Sequence, residues 1–139
     1  MFAVPSKISD NTLRHIGKFR SKARVPVLSY VHTNNVTITR SSQPMVGLKH
    51  NRSIQDEKLI EAIFSSSQDP LKNNCKNLII DARPRANAVA QTAMGAGTES
   101  ESSYKNCRVI FLGIENIHVV RDSFQKLSIL FLAKLEILL

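Results

Sequence analysis

Between Val25 and Val31 (Val-Pro-Val-Leu-Ser-Tyr-Val) and again between Asn35 and Arg40 (Asn-Val-Thr-Ile-Thr-Arg), apolar and polar residues alternate with the period of a half-buried strand. His32-Thr-Asn-Asn between them supplies turn-forming residues, and Pro26 must lie near the strand start or on an edge. Upstream the period is helical: Leu13, Ile16 and Phe19 make an inner stripe over Asp10 to Lys22, with Ser9 as cap. Ser53 caps a second helix, Ile54 to Phe64, whose first turn carries Asp56 and Glu57, favoured there by the helix dipole. Asn77-Leu-Ile-Ile-Asp81 is a short apolar run that reads as a buried strand. A helix from Arg83 to Met94 follows, with Pro84 in its first turn, where a missing N–H costs nothing, and it stops at Gly95-Ala-Gly97. A polar loop, Thr98 to Ser103, leads to a strand over Arg108 to Ile114 and to a last helix from about His118. Strands alternating with helices predict an α/β layered fold, with an added strand pair near the N-terminus. No repeat and no long linker divides the chain, so it reads as one unit.

The 139 residues suffice for a real core, and a 42% hydrophobic share is ordinary for a globular protein. Phe2 to Pro5 is too short an apolar run for a signal peptide, and no run reaches the roughly 18 residues of a spanning helix. The expectation is a soluble, cytoplasmic chain. The apolar tail, Leu127 to Leu139, is broken by Lys134 and Glu136 and reads as a buried or unfinished helix.

The formal charge of +8 is densest at Arg14, Lys18, Arg20, Lys22 and Arg24. Two readings stand for this cluster: a solvated helix face, or a surface for acidic membranes that places the protein peripherally on them. Nucleic acid is excluded as a partner, because two tyrosines and no tryptophan leave nothing to interleave with the basic residues for base stacking. The four histidines show no metal-ligand spacing with one another or with the cysteines, so no metal is expected. Gly95-Ala-Gly97 lacks the third glycine and preceding strand of a dinucleotide fingerprint, and no cofactor is implied. Cys75 and Cys107 read as small core residues at strand starts, or else as a disulfide pair.

Four blocks carry a family resemblance: Phe19-Arg-Ser-Lys-Ala-Arg-Val-Pro-Val-Leu28, Arg40-Ser-Ser-Gln-Pro-Met-Val-Gly47, Asp81-Ala-Arg-Pro-Arg-Ala-Asn-Ala-Val-Ala-Gln91 and Asn116-Ile-His-Val-Val-Arg121. In this order and spacing the chain resembles, over roughly residues 3 to 126, the first half of a myotubularin-type phosphatase domain. That family removes the 3-phosphate of phosphoinositides with a cysteine nucleophile in a Cys-x5-Arg loop. The resemblance therefore implies a partial cysteine-phosphatase-like layered sheet with helices on its faces, truncated before the catalytic loop. It also implies a pleckstrin-homology-type domain before residue 1, and it leaves residues 127–139 as a divergent apolar tail.

The missing loop is checked directly. The residue six beyond Cys75 is Asp81, and six beyond Cys107 is Gly113; neither is arginine. A cysteine phosphatase needs a thiolate under phosphorus and an arginine to hold the phosphate, so no catalytic residue is assigned. By resemblance, Gln91 and Asn116 line the inositol pocket, although most relatives have asparagine where Gln91 places its amide one methylene further out. Ser41 stands where cysteine is common, and Gly97 is followed by Thr98 where an aromatic is usual. Read from the residues alone, Arg83 pairs with Asp81 or a neighbour, and Asn116 either caps a helix or touches substrate. The implied partners are phosphoinositide headgroups or an acidic membrane surface, and an intact relative. The functional expectation is a piece of a phosphatidylinositol-3-phosphate 3-phosphatase, inactive by itself. The alternative is a non-catalytic module that binds an intact relative or acidic membranes.

Overall fold

The computed structural model describes residues 2–66 and 77–136. Helix α1 spans Asp10–Phe19, and the Thr12 N–H donates to the Ser9 hydroxyl at 3.3 Å, the expected cap. It stops three residues before Lys22. Arg20 turns to extended backbone (φ −101°, ψ 133°) and bridges Pro44, while Lys22 and Ala23 both take positive φ and turn the chain back. The partners that hold the chain here are distant in sequence: the Ser21 N–H donates to the Gln43 carbonyl at 3.0 Å, and the Met45 N–H donates to the Phe19 carbonyl at 2.7 Å.

Strands β1 (Val27–Val31) and β2 (Thr37–Arg40) form an antiparallel pair, with Val27 opposite Arg40 and a register shift between Leu28 and Tyr30. Asn35, at φ 62°, closes the turn between them, a conformation asparagine tolerates. Pro26 is fully buried just ahead of β1, the position its missing donor permits. Helix α2, Ile54–Ser66, starts as expected, with the Asp56 N–H on the Ser53 hydroxyl at 3.3 Å, and runs two residues beyond Phe64.

Strand β3 (Asn77–Asp81) pairs in parallel with β4 (Cys107–Phe111), with Asn77 opposite Cys107 and Asp81 opposite Phe111. Helix α3, Arg85–Ala93, supplies the crossover that parallel strands require, and the Arg85 guanidinium lies 5.9 Å from the Phe111 ring centre. Strand β4 starts one residue earlier than expected and ends at Phe111, although the Leu112 and Ile114 N–H groups still reach the carbonyls of Asp81 and Ala82. Helix α4, Ile117–Glu136, closes the described chain.

Ile16, Leu59, Ile60, Ile63, Tyr104 and Cys107 form the core, with Val4, Ile8, Leu13, Val25, Phe64 and Ile79 packed around them. The mixture of helices and strands is the α/β class expected. The strands do not join into one layered sheet, however; among the described residues they make two separate pairs. Strand β3 is also less buried than its composition suggests. Leu78 and Ile80 are exposed, because the strand covers only one of its faces. The apolar tail is helical as far as Glu136 but is not buried: through Leu132 every residue of α4 except Ser128 is exposed.

Candidate functional site

The corner between β3 and α3 is set by a tight local device. Asp81 Oδ1 accepts the Arg83 backbone N–H and Nε, both at 3.0 Å, and Asp81 Oδ2 accepts Arg83 Nη2 at 2.7 Å. The same guanidinium donates to the Gly97 carbonyl at 2.9 Å and to Gln43 Oε1. Arg83 thus ties the end of β3, the segment after α3 and the loop after β2 into one wall. The ion pair expected from the sequence is present, but Arg83 lies outside the helix. Pro84, with ψ 139°, occupies the N-cap position, and α3 begins at Arg85 because Arg83 is held in the corner by its carboxylate.

Burial alone would raise the Asp81 pKa, but the hydrogen bonds from Arg83 outweigh it and hold the carboxyl below its ordinary range. A depressed folded-state pKa stabilises above the unfolded value of about 3.9, and the contribution is lost as pH falls through the folded value. Asp81→Asn should therefore melt lower than the parent at neutral pH, with the gap closing as the solution is acidified below that range. A gap unchanged with pH would show that the pair contributes no charge-dependent stability.

This wall faces an open cleft of about 990 Å³, lined among others by Arg24, Arg40, Ser41, Asn87, Gln91, Glu115 and Asn116. Gln91 and Asn116 line the same cleft. The Gln91 side chain has no hydrogen-bond partner among the described residues. Asn116 has a structural duty: its Oδ1 accepts the N–H groups of His118 at 2.9 Å and Val119 at 3.3 Å, capping α4. Its amide nitrogen makes no hydrogen bond among the described residues. Asp81 and Arg83 neutralise each other, whereas Arg24 and Arg40 carry no ion pair among the described residues, so the rim keeps positive charge.

Behind the cleft lies a network that the sequence did not reveal. Arg20 is 2% exposed. Its Nε and Nη2 donate to the Asp56 carboxylate at 2.8 and 2.5 Å, and its Nη1 donates to Glu99 at 2.5 Å and to the Ser42 carbonyl at 2.9 Å. The Tyr104 hydroxyl donates to Asp56 Oδ2 at 2.7 Å. Burial lowers the Arg20 pKa, but the hydrogen bond with Asp56 and the two neighbouring carboxylates outweigh it, so the guanidinium stays charged. For Tyr104, burial comes first and the Asp56 charge second, and both push its pKa up. Arg20 is therefore no part of the basic surface expected from its neighbours; Arg14, Lys18, Lys22 and Arg24 remain exposed. Asp56, expected in the first turn of α2 for its interaction with the helix dipole, is also fully buried. No local signal identifies these roles, because the partners lie 36 and 79 residues from Arg20.

Cys107 is a buried free cysteine whose thiol donates to the Tyr104 carbonyl at 3.1 Å, the core role expected of it. Burial, then the nearby Glu101 and Glu99, push its pKa up, the opposite of an activated nucleophile. Cys75 lies outside the described residues. Among the described residues no cluster of histidine, cysteine and carboxylate side chains is suited to a metal. No helix among them is long and apolar enough to cross a membrane.

A parallel β-α-β unit with a polar cleft at the carboxyl end of its first strand is the usual ligand-binding corner of an α/β protein. Residues 1–135 match the myotubularin-like phosphatase domain, and the chain belongs to that family. It is 48% identical over 129 residues to the phosphatidylinositol-3,5-bisphosphate 3-phosphatase MTMR2 of Gallus gallus, covering 92% of this chain and 22% of that protein. It is 45% identical to the phosphatidylinositol-3-phosphatase myotubularin-2 of Arabidopsis thaliana, covering 89% of this chain and 15% of the relative. The phosphoinositide 3-phosphatase of Saccharomyces cerevisiae is 44% identical, over 86% of this chain and 20% of its own length. The chain thus spans about a fifth of the length of the curated relatives it matches.

Proposed function

We propose that this chain is a headgroup-facing part of a phosphoinositide 3-phosphatase that cannot hydrolyse its lipid by itself. The observation that carries the reading is the pairing of two facts: Gln91 and Asn116 share one cleft with an arginine rim, and the chain contains no Cys-x5-Arg sequence. The free amide of Gln91 and the unshared amide nitrogen of Asn116 suit inositol hydroxyls, and Arg24 and Arg40 suit phosphate. The layered cysteine-phosphatase sheet belongs to the same proposal, with β3 and β4 as two of its strands. The place of action is the surface of acidic membranes on their cytoplasmic side, supported by the exposed cations Arg14, Lys18, Lys22 and Arg24.

With neither nucleophile nor phosphate-binding loop in the chain, attraction to a bilayer is electrostatic. Each basic residue near an anionic surface contributes about 1 kcal/mol, screened over a Debye length of about 8 Å at physiological salt. Sedimentation with phosphatidylserine vesicles should fall steeply between low and physiological salt, and charge-matched vesicles of phosphatidylinositol 3-phosphate should behave alike. A clear preference for the latter, removed by Gln91→Ala, would mean that a selective headgroup site is already complete. Gln91 is the better probe, because Asn116→Ala also uncaps α4.

A further inference from the structure

Three carboxylates line the cleft: Asp81, Glu99 and Glu115. Arg83 is paired with the first and Arg20 with the second. Glu115 is exposed and has neither an ion pair nor a hydrogen bond among the described residues. Its backbone is fixed on both sides nonetheless. The Leu112 and Ile114 N–H groups donate to the carbonyls of Asp81 and Ala82 at 2.9 and 2.8 Å, and Asn116 caps α4. Resting on the reading that this cleft faces an inositol headgroup, we infer that Glu115 selects ring hydroxyls over phosphate. Its carboxylate accepts a hydrogen bond from a hydroxyl and turns away a phosphate at the same ring position.

Hydrogen-bonding capacity supports this assignment. A ring hydroxyl has a proton to give, so its recognition needs an acceptor. Arg24, Arg40 and the remaining amide nitrogen of Asn116 can only donate. Asn87 and Gln91 offer one acceptor oxygen each, whereas an ionised Glu115 offers two and donates nothing. The arginines therefore suit phosphate and the carboxylate suits hydroxyls. A phosphate brought against Glu115 meets a like charge, which is how a site rejects a competitor instead of merely binding its own ligand. The place in the fold agrees. Glu115 follows β4, the second strand of the parallel β3-α3-β4 unit, at the carboxyl ends where such units hold ligands. Dinucleotide-binding β-α-β units make the same choice, with a carboxylate for a ribose hydroxyl and an arginine where that hydroxyl carries phosphate.

The test uses the whole chain and soluble headgroups at millimolar concentration, with the Gln91 side-chain amide followed by heteronuclear NMR. Inositol 1,3-bisphosphate keeps free hydroxyls, and inositol hexakisphosphate has none. Glu115→Gln should weaken bisphosphate binding at Gln91 several-fold and strengthen hexakisphosphate binding there several-fold. Charge alone predicts otherwise, because removing a carboxylate would strengthen both. Glu115→Asp should keep the parent's preference. Glu61→Gln, which removes an exposed carboxylate outside the cleft, should bind both ligands like the parent. The inference is overturned if Glu115→Gln strengthens both ligands or alters neither, and the headgroup reading then stands without it. A parent whose Gln91 amide never responds to the bisphosphate would remove the headgroup reading and this inference together.

Discussion

Asp56→Ala should cost about 3–5 kcal/mol of folding stability, the loss found when one partner of a buried ion pair is removed. That is a large share of the roughly 5–15 kcal/mol that holds a typical domain together. The substitution strips the acceptors from Arg20 Nε and Nη2 and from the Tyr104 hydroxyl at once, and leaves the guanidinium buried with Glu99 and the Ser42 carbonyl. Asp56→Asn keeps one acceptor oxygen and should lose less. Urea denaturation followed by circular dichroism checks both. A loss for Asp56→Ala below about 1 kcal/mol, the range of exposed pairs, would mean that water reaches this network. The damage should extend to the cleft, since Arg20 holds Glu99 and the Ser42 segment, and both line it.

What the sequence made legible was local. Ser9 and Ser53 announce their helices because capping needs one hydroxyl within three residues of the N–H it accepts. Strand β3 and the turn at Asp81 to Pro84 are legible for the same reason: an apolar run, a carboxylate and an arginine two residues on contain the whole device. The end of α1 was not legible, because Arg20 has a good helix former's side chain and the backbone there is bonded instead to Gln43 and Met45, far along the chain. Asp56 misleads likewise: its place in a first turn satisfies the dipole rule, and its burial depends on Arg20. The separation of the strands into two pairs follows from pairing partners that no local pattern encodes.

The cleft was legible only through resemblance. Gln91 and Asn116 are 25 residues apart on unrelated elements, and nothing in their neighbourhoods marks either as facing the other. Both line the same cleft. Of the two readings of Asn116, the structural one is carried by its Oδ1, which caps α4, while the amide nitrogen makes no hydrogen bond among the described residues.

We propose that a myotubularin-family chain without a Cys-x5-Arg sequence is catalytically silent, and phosphate release is the direct test. Enzymes commonly accelerate their reactions by about a millionfold or more, and a cysteine phosphatase draws that from a thiolate and an arginine-lined loop. Of the two cysteines here, Cys107 is buried with its thiol held protonated, and neither is followed by an arginine six residues on. The purified chain, incubated with phosphatidylinositol 3-phosphate, should release no phosphate above a protein-free blank, and Cys75→Ser and Cys107→Ser should leave that result unchanged. Release above the blank that either single substitution abolishes would contradict the account, because it would make one of these cysteines a nucleophile.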